Sequence, residues 1–298
     1  MIPRPAPKRW AWCWAVTGER SRSPARLLMS TLVLGVVNVT PDSFSDGGRW
    51  FAPDAAVAHG EELLEQGADI LDVGGESTRP GAERTSEDEE LRRVIPVISA
   101  LSRIGARISV DTMRAKVAAR AIESGASIVN DVSGGLADPD MARVVAAAQV
   151  SFIVMHWRGH SQTMQDHAEY DDVVADVCRA LSERVADLCA RGVGRDQIIL
   201  DPGFGFAKRA EHNWSLLAHL DAVQSLGHPV LVGASRKTFL GRLGVPDGGE
   251  ARAPAQRDAT TAATTVIAGL AGAWAVRVHD VASSVDALRV VAAMRAAR

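Results

Sequence analysis

Short apolar runs alternate with helical patterns along the chain from residue 32 onward. The runs consist mostly of Val, Ile and Leu and lack polar alternation, which is typical of parallel strands covered on both faces. They predict strands over residues 32–37, 70–74, 107–110, 127–130, 151–155, 197–200, 229–233 and 275–278. Apolar residues at helical spacing predict helices between the strands, for example over residues 54–66, 86–102, 114–124, 170–190 and 283–297. The pattern is that of an α/β protein.

The number of strand–helix units indicates the architecture. Eight units in the last 268 of the 298 residues (298 − 30) match a (β/α)8 TIM barrel, which has about 250 residues. The alternative is an open, doubly wound sheet, whose first strand is usually followed by a glycine-rich phosphate-binding turn. Here the first strand is followed by Asn-Val-Thr-Pro-Asp over residues 38–42, which is not that turn. We therefore predict a single barrel domain over residues 31–298.

Polar residues occur at the carboxyl end of every predicted strand. They are acids, bases and amides, namely Asn38, Asp72, Glu76, Asp111, Asn130, Asp131, His156, Asp201, Ser235, Arg236, Lys237, Arg277 and His279. The carboxyl ends of barrel strands open on one face, where active sites are built. A helix N-cap would explain Asp111 alone, and a turn would explain Asp201 alone. The whole set predicts an active site on that face.

The formal charge of −3 is unevenly distributed. Residues 1–30 contain six basic groups and one acidic group (+5), and the other residues contain 27 basic and 35 acidic groups (−8). A nucleic-acid partner would require a basic face, so none is predicted for this acidic body. A small anionic substrate needs only a few cationic side chains and is not excluded.

The first 30 residues are predicted to be an N-terminal extension outside the barrel. We expect them to be disordered, or to result from a start assigned ahead of Met29. The apolar segment 10–16 is short, rich in Trp and without a clean cleavage site, so a signal peptide is not expected. No run of about 18 apolar residues predicts a membrane span. The three cysteines are odd in number and lack C-x-x-C spacing, which favours a reduced, cytoplasmic setting.

Several motifs resemble known functional signatures without matching them. Residues 203–208 lack the third glycine of a dinucleotide-binding loop, and residues 233–238 lack the glycine that precedes Lys-Thr in a P-loop. His156 and His160 have a metal-like spacing, but no Cys or Glu at a fitting distance completes a zinc site. No Gly-x-Ser-x-Gly nucleophile motif occurs.

Two groups of strand-end residues remain as candidates. The first would bind phosphate oxygens and comprises Arg79, Arg277, His279 and Asn38. The second, expected opposite the first, comprises Asp111, Asn130, Asp201 and Lys237. Acid and amide side chains suit the donor edge of an amino-heterocycle, such as a 2-amino-4-oxo pyrimidine ring. Buried carboxyl groups are costly without a partner, which again predicts a polar ligand.

Seven segments in register resemble the dihydropteroate synthases. They are Asn-Val-Thr-Pro-Asp-Ser-Phe-Ser-Asp-Gly-Gly (38–48), Asp-Val-Gly-Gly-Glu-Ser-Thr-Arg-Pro-Gly (72–81), Ser-Val-Asp-Thr (109–112), Asn-Asp-Val-Ser-Gly (130–134), Asp-Pro-Gly-Phe-Gly-Phe (201–206), Gly-Ala-Ser-Arg-Lys (233–237) and Arg-Val-His-Asp (277–280). The resemblance covers about residues 32–297. Val-Met-His-Trp-Arg (154–158) and Glu-His-Asn-Trp (211–214) are most similar to actinobacterial members.

The resemblance implies a transferase of folate biosynthesis. Such an enzyme joins 6-hydroxymethyl-7,8-dihydropterin pyrophosphate to 4-aminobenzoate through a pterin carbocation, giving 7,8-dihydropteroate and pyrophosphate. It further implies Mg²⁺ as cofactor, sulfonamides as competing ligands, a cytoplasmic homodimer and no membrane partner. We expect the chain to be monofunctional, without a fused second enzyme.

The resemblance also assigns roles to residues, carried over position by position. The pterin-binding residues are Asp111, Asn130, Met155, Asp201, Gly233 and Lys237. The pyrophosphate-binding residues are Asn38, Arg79, Arg277 and His279, with Asn38 also the metal ligand. The 4-aminobenzoate-binding residues are Thr78, Arg79, Pro80, Phe206, Ser235 and Lys237. The catalytic residues are Phe44, Asp46, Asp201 and Lys237, with Phe44 and Asp46 on a loop that closes over the reaction.

Three alternatives to this activity remain. A barrel methyltransferase acting on methyltetrahydrofolate would share the pterin site but would not need the Thr-Arg-Pro, Ser-Arg-Lys and Arg-x-His motifs together. A paralogue could keep the fold without the activity. A non-catalytic pterin-binding protein would bind the substrate without releasing pyrophosphate.

Overall fold

The strands form one parallel, closed barrel. In the computed structural model, which describes residues 31–40, 53–76, 85–159, 167–246 and 248–297, the strands are β1 (Leu32–Asn38), β2 (Ile70–Gly74), β3 (Ile108–Asp111), β4 (Ala126–Asp131), β5 (Ser151–Met155), β6 (Ile198–Asp201), β7 (Leu231–Val232) and β8 (Ala275–Val278). Their order is β6-β5-β4-β3-β2-β1-β8-β7. A bridge between Leu200 and Val230 joins β6 to the start of β7 and closes the ring. The predicted barrel is confirmed, because an open doubly wound sheet has no such closure.

Helices follow the strands along the chain. They are α1 (Pro53–Gln66), α2 (Glu87–Arg103), α3 (Ala115–Glu123), α4 (Met141–Ala148), α5 (Val173–Ala190), α6 (Ala210–Ala218), α7 (Leu220–Gln224), α8 (Thr238–Gly241), α9 (Asp258–Ala271) and α10 (Val281–Ala296). The side chain of Ser86 accepts a hydrogen bond at the start of α2, and that of Asp172 does so at the start of α5. These caps satisfy backbone N–H groups that have no partner within the helix.

Several strands end at different residues from those predicted. β3, β4 and β6 extend one residue further, so that Asp111, Asp131 and Asp201 end the strands rather than follow them. β7 has two residues instead of the predicted five, and it follows Pro229, which has no N–H for a strand ladder. The polar strand ends are therefore part of the barrel wall itself.

The interior of the barrel contains a compact apolar layer. It consists of Leu34, Ile70, Ile128, Ile153, Ile199, Leu231 and Ala275, one from each strand except β3. A larger apolar core fills the space between the strands and the helices. Because side chains alternate along a strand, the residue two positions further on faces the same interior. Counting two positions along the chain from six of these apolar residues gives Asp72, Asn130, Met155, Asp201, Gly233 and Arg277. A mostly polar layer therefore lies directly above the apolar layer.

Two further predictions concern the chain as a whole. Among the described residues, no helix is both long and apolar enough to cross a membrane. The predicted N-terminal extension, residues 1–30, lies outside the described residues, so its conformation stays a prediction.

Candidate functional site

The candidate site is built on the upper interior layer of the barrel, at the carboxyl ends of the strands. We call Asp72, Asp111, Asn130, Met155, Asp201, Gly233 and Arg277 the polar layer, since five of the seven have polar side chains. Asp72 is fully buried, and Asn130, Asp201 and Asp111 are 4%, 7% and 8% exposed. Three buried carboxyl groups in one layer require compensating partners.

Arg277 provides much of that compensation. Its Nε donates to Oδ2 of Asp72 at 2.6 Å, and a terminal nitrogen donates to Oδ2 of Asp111 at 2.7 Å. The side-chain amide of Asn130 donates to the same oxygen of Asp72 at 3.1 Å. Arg277 was predicted to lie opposite Asp111 and Asn130, and this prediction is wrong. A guanidinium on β8 is long enough to reach across β1 to the neighbouring strands, so the two groups form one network.

The network shifts the protonation equilibria of its members. Burial raises the pKa of Asp111 to about 7, although Arg277 partly opposes the shift. Burial by itself would lower the pKa of Arg277, but the carboxylates of Asp72 and Asp111 outweigh it and raise that pKa. Arg277 therefore stays charged, whereas the charge of Asp111 depends on pH near neutrality.

The alternative explanation of Asp111 as a helix cap is wrong. Asp111 is the last residue of β3, and α3 begins only after Arg114, whose backbone N–H is bonded to the hydroxyl of Thr112 at 3.2 Å. The carboxyl group of Asp111 instead binds Arg277. The side chain is thus oriented into the barrel and not along the helix.

The turn explanation of Asp201 is correct for one of its two oxygens. Oδ1 accepts a hydrogen bond from the backbone N–H of Gly203 at 2.7 Å. The other oxygen lies 3.4 Å from where a β-carbon on Gly233 would be, so the glycine leaves space beside this carboxyl group. Burial raises the pKa of Asp201, while the Gly203 N–H and then the charges of Lys237, Lys208 and Arg277 oppose the shift.

Lys237 and Phe206 form the next part of the site. The Lys237 ammonium lies 3.9 Å from the centroid of the Phe206 ring, within the range of a cation–π interaction. Burial and the nearby Arg277 charge lower the pKa of Lys237 to about 8, against the attraction of Asp201 and Asp111. Gly205 makes the approach possible: its φ is +74°, and a β-carbon there would lie 2.8 Å from Cδ of Lys237.

Ser235 and His279 contact each other between the ends of β7 and β8. The Ser235 hydroxyl accepts from the backbone N–H of His279 at 3.2 Å and lies 3.0 Å from Nδ1 of its ring. A hydroxyl that accepts from the backbone can donate to Nδ1, which leaves Nε2 as the protonated nitrogen. This contact joins a predicted aminobenzoate residue to a predicted pyrophosphate residue.

Arg236 stands between Ser235 and Lys237 and has an unusual backbone. Its φ is +57°, in the left-handed region that non-glycine residues rarely adopt. Two nitrogens of its guanidinium bind both oxygens of Asp258 at 2.7 and 2.8 Å, and Arg257 donates to its carbonyl oxygen at 2.7 Å. Arg236 was predicted only as one of the strand-end residues, and Asp258 was not predicted. Only the fold brings Asp258 to this turn.

Asp72 was predicted as part of the site only through its place in the set of strand-end residues, and no role was assigned to it. In the structure it holds both Arg277 and Asn130. The signal was its position within the apolar run Ile-Leu-Asp-Val-Gly, where a charged side chain must face a buried partner.

Part of the predicted site lies outside the described residues, namely Phe44, Asp46, Thr78, Arg79 and Pro80. The residues that flank segment 77–84 are described. The backbone N–H of Thr85 donates to Oε2 of Glu76 at 3.2 Å. Arg114 binds that same carboxylate at 2.8 Å and also bonds the carbonyl oxygen of Thr85. The two ends of this segment are therefore held together beside β3.

Asn38 is the residue predicted to hold a metal ion, and it lies in the described part of the site. It ends β1 and is half-buried. Among the described residues, no group of three or more His, Cys, Asp or Glu side chains could hold a metal ion. Mg²⁺ commonly takes only one or two oxygens from the protein and completes its shell with phosphate oxygens and water. An amide oxygen at Asn38 fits that mode of binding.

The chain was compared with protein families, curated proteins and solved structures. Residues 34–279 match the family described as pterin binding enzyme. A dihydropteroate synthase of Mycobacterium leprae is 53% identical over 262 residues, 88% of this chain and 92% of the relative. A Xanthomonas albilineans dihydropteroate synthase with 4-aminobenzoic acid has a TM-score of 0.82 and 46% identity, covering 90% of this chain and 94% of that one. A Yersinia pestis dihydropteroate synthase with a sulfonamide drug has a TM-score of 0.84 and 41% identity, covering 90% and 96%.

Proposed function

Because this chain belongs to the dihydropteroate synthase family of pterin-binding enzymes, we propose that it joins 6-hydroxymethyl-7,8-dihydropterin pyrophosphate to 4-aminobenzoate. The products are 7,8-dihydropteroate and pyrophosphate. The observation that carries this proposal is the polar layer, where carboxyl groups, an amide and Arg277 form one buried network at the mouth of the barrel. One ligand could therefore donate hydrogen bonds from its heterocycle to the carboxyl and amide oxygens and also pair its phosphate with Arg277.

The pterin ring is assigned to the deeper part of the site. Its amino and ring N–H groups are hydrogen-bond donors, and carboxylate and amide oxygens are the matching acceptors. The residues proposed to bind it are Asp111, Asn130, Asp201 and Lys237, with Met155 and Gly233 beside the ring. Gly233 supports this placement, because the absence of a side chain leaves space next to Asp201.

The pyrophosphate is assigned to Asn38, Arg79, Arg277 and His279. Arginine and imidazole N–H groups suit phosphate oxygens, and Arg277 is charged at every physiological pH. Asn38 would hold Mg²⁺ through its amide oxygen. When bound, Mg²⁺ neutralises charge that develops on the leaving pyrophosphate.

The 4-aminobenzoate is assigned to Phe206, Ser235 and Lys237, together with Thr78, Arg79 and Pro80. Phe206 offers an aromatic face, and Lys237 offers a cation close to it. An aromatic acid can pack against the first and pair its carboxylate with a nearby cation. Sulfonamides, which resemble 4-aminobenzoate in shape, are proposed to compete at the same place.

The reaction proceeds by loss of the leaving group before attack. The bond between the exocyclic carbon and oxygen breaks, and its electron pair leaves with pyrophosphate. Asp201 and Asp46 stabilise the positive charge spread over the dihydropterin. The nitrogen of 4-aminobenzoate then forms the new C–N bond and loses a proton. An aniline attacks such a cation without a strong general base, and closure of the loop bearing Phe44 and Asp46 excludes water.

The enzyme is further proposed to act as a cytoplasmic homodimer. In the described part of the chain, α9 exposes Ile267 and Leu270, and α10 exposes Val290 and Met294, with 43–55% of each residue accessible. The guanidinium of Arg295 on α10 donates to the carbonyl oxygen of Gly269 on α9 at 2.7 Å, so the two helix ends are adjacent. Exposed apolar side chains on adjacent helices are a common feature of subunit interfaces. Sedimentation of the purified chain as a monomer would contradict the proposed homodimer.

The proposed activity is tested with the purified chain, dihydropterin pyrophosphate, Mg²⁺ and labelled 4-aminobenzoate. We expect labelled dihydropteroate, equimolar pyrophosphate, and no product with Asp201→Ala. Transfer of a methyl group would favour the methyltransferase. Binding of both substrates without product would favour an inactive paralogue or a binding protein. Either result would contradict the proposed function.

A further inference from the structure

Lys208 follows the turn that carries Phe206 and is buried, with 4% of the residue exposed. Its nitrogen lies 3.0 Å from the carbonyl oxygen of Gly203, 3.1 Å from that of Phe206 and 3.0 Å from Nδ1 of His156. An ammonium group has three N–H donors, and these are three acceptors. Burial lowers the pKa of His156 to about 2, so that this ring is neutral and can accept. The three acceptors match the three N–H groups of the protonated amine, although burial lowers the pKa of Lys208 to about 7.

The turn over residues 203–207 has little regular structure to hold it. Ala207 has a φ of +47°, in the left-handed region that an alanine adopts only against a conformational preference. Inside the turn, the backbone N–H of Phe206 donates to the carbonyl oxygen of Gly203 at 3.1 Å. From outside, the hydroxyl of Tyr170 donates to the carbonyl oxygen of Ala207 at 2.9 Å. Lys208 binds both Gly203 and Phe206 and so ties the two ends of the turn together.

Asp201, at the start of the same loop, is held by different contacts. It pairs with Met155 in the register of β5 and β6, and its carbonyl oxygen accepts from the backbone N–H of His156 at 2.9 Å. These backbone contacts belong to the barrel wall, whereas the Asp201 carboxyl group accepts from Gly203 in the turn and is close enough to feel the Lys208 charge. Loss of the Lys208 amine should therefore displace Phe206 more than the backbone of Asp201.

We propose that Lys208 is a positioning residue that fixes the Phe206 turn and thereby sets the affinity of the site for its aromatic second substrate. This inference rests on the proposed function, since it takes the Phe206 side of the site to bind 4-aminobenzoate. Lys208 acts through the turn and not on the substrate, because its nitrogen is enclosed by three groups of the protein. The backbone of the pterin side is anchored by β6, so we expect Lys208 to affect that side less than the Phe206 side.

The test compares Lys208→Met with Lys208→Gln, which keeps two N–H donors, and with Lys116→Met. Lys116 lies on α3 with 60% of its side chain exposed, so its variant removes a lysine charge far from the turn. For Lys208→Met we expect the KM for 4-aminobenzoate to rise about tenfold, the effect of losing buried hydrogen bonds to the turn, and pterin affinity to fall by less than about threefold. Lys208→Gln should show a smaller rise, and Lys116→Met none.

Hydrogen exchange of the full-length chain without substrate gives a second readout that does not depend on the activity. In Lys208→Met we expect faster exchange at the amides of Gly205 and Phe206, with β6 unchanged. If the wild type makes no dihydropteroate, the proposed function is wrong. The exchange pattern still tests whether Lys208 holds the Phe206 turn in place. The inference is overturned by unchanged exchange in the turn, by an unchanged KM, by equal losses for both substrates, or by failure of both Lys208 variants to fold.

Discussion

At the scale of single residues, Asp72 organises the polar layer. One of its oxygens accepts both from Nε of Arg277 and from the amide of Asn130. Because the side-chain nitrogen of Asn130 donates to Asp72, the side-chain oxygen of Asn130 points away from Asp72 and can accept a hydrogen bond from a ligand. Asp72 thus fixes the orientation of two proposed ligand-binding side chains while itself being fully buried.

The substitution Asp72→Asn should lower pterin affinity about tenfold, because Arg277 loses a charged partner and the Asn130 amide can rotate. Calorimetric titration with a pterin ligand measures the change. Asp286→Asn is the matched control, since this carboxylate on α10 is 72% exposed and pairs with Arg289 on the surface. Equal affinities for wild type, Asp72→Asn and the control would contradict the role of Asp72.

Pterin affinity should depend on pH through Asp111. Burial raises the pKa of this carboxyl group to about 7, so it is protonated and neutral below that pH and ionised above it. An ionised carboxylate accepts hydrogen bonds from the pterin more strongly, so affinity should fall as the pH decreases from 8 to 6. Titrations at several pH values test this, and Asp111→Asn should flatten the dependence. A wild-type affinity that rises towards pH 6 would contradict the prediction.

At the scale of structural elements, the turn after β7 is held in shape by its contacts with helix α9. The turn after β7 carries Ser235 and Lys237, and Arg236 between them binds Asp258 at the first residue of α9. The left-handed φ of Arg236 would be unfavourable without this support. Through Arg236, α9 positions two proposed binding residues without contacting the substrate.

Asp258→Asn should lower kcat/KM about tenfold, mainly through a higher KM for 4-aminobenzoate, because the paired charges that hold Arg236 are lost. Steady-state kinetics measure the effect, again with Asp286→Asn as control. The melting temperature of the variant shows whether the fold is retained. A folded variant with wild-type kinetics would show that the turn keeps its shape without Asp258.

The boundaries of strands and helices were predictable from the sequence where the local pattern of apolar residues is strong. Short, mostly apolar runs located β2, β5 and β8 to the residue, even though Asp72 and Arg277 interrupt the first and the last of them. No bounds were predicted for α9, because its Ala, Thr and Gly residues give only a weak apolar periodicity. The contact of Arg277 with Asp72 joins residues 205 positions apart and forms only when β8 pairs with β1. Local patterns do not encode such a contact, although they did identify both residues as strand ends.

At the scale of the whole molecule, the barrel separates stability from function by layer. The apolar interior layer and the larger core beneath the helices hold the fold. The layer above them carries buried charges that an isolated fold would not need, because burying ionisable groups costs free energy. This layered arrangement is what a ligand-binding barrel requires.

Acid should destabilise the whole molecule partly through His156. Its pKa falls from 6.5 in the unfolded chain to about 2 in the fold, chiefly by burial and then by the Lys208 charge. Its contribution to stability is therefore present above pH 6.5 and is lost as the pH falls. Between pH 7 and pH 5 the wild type should lose about 2 kcal/mol more unfolding free energy than His156→Gln. Urea unfolding at both pH values measures the difference, and parallel losses in the two proteins would contradict the assignment.

The central claim is that dihydropteroate forms at the polar layer of the barrel. The most direct measurement is a crystal structure of this protein soaked with Mg²⁺, dihydropterin pyrophosphate and 4-aminobenzoate. We predict density for the joined product, with its pterin ring within hydrogen-bond distance of Asp111, Asn130 and Asp201 and its benzoate ring against Phe206. A pterin bound elsewhere, or two unreacted substrates in a fully occupied site, would contradict the claim.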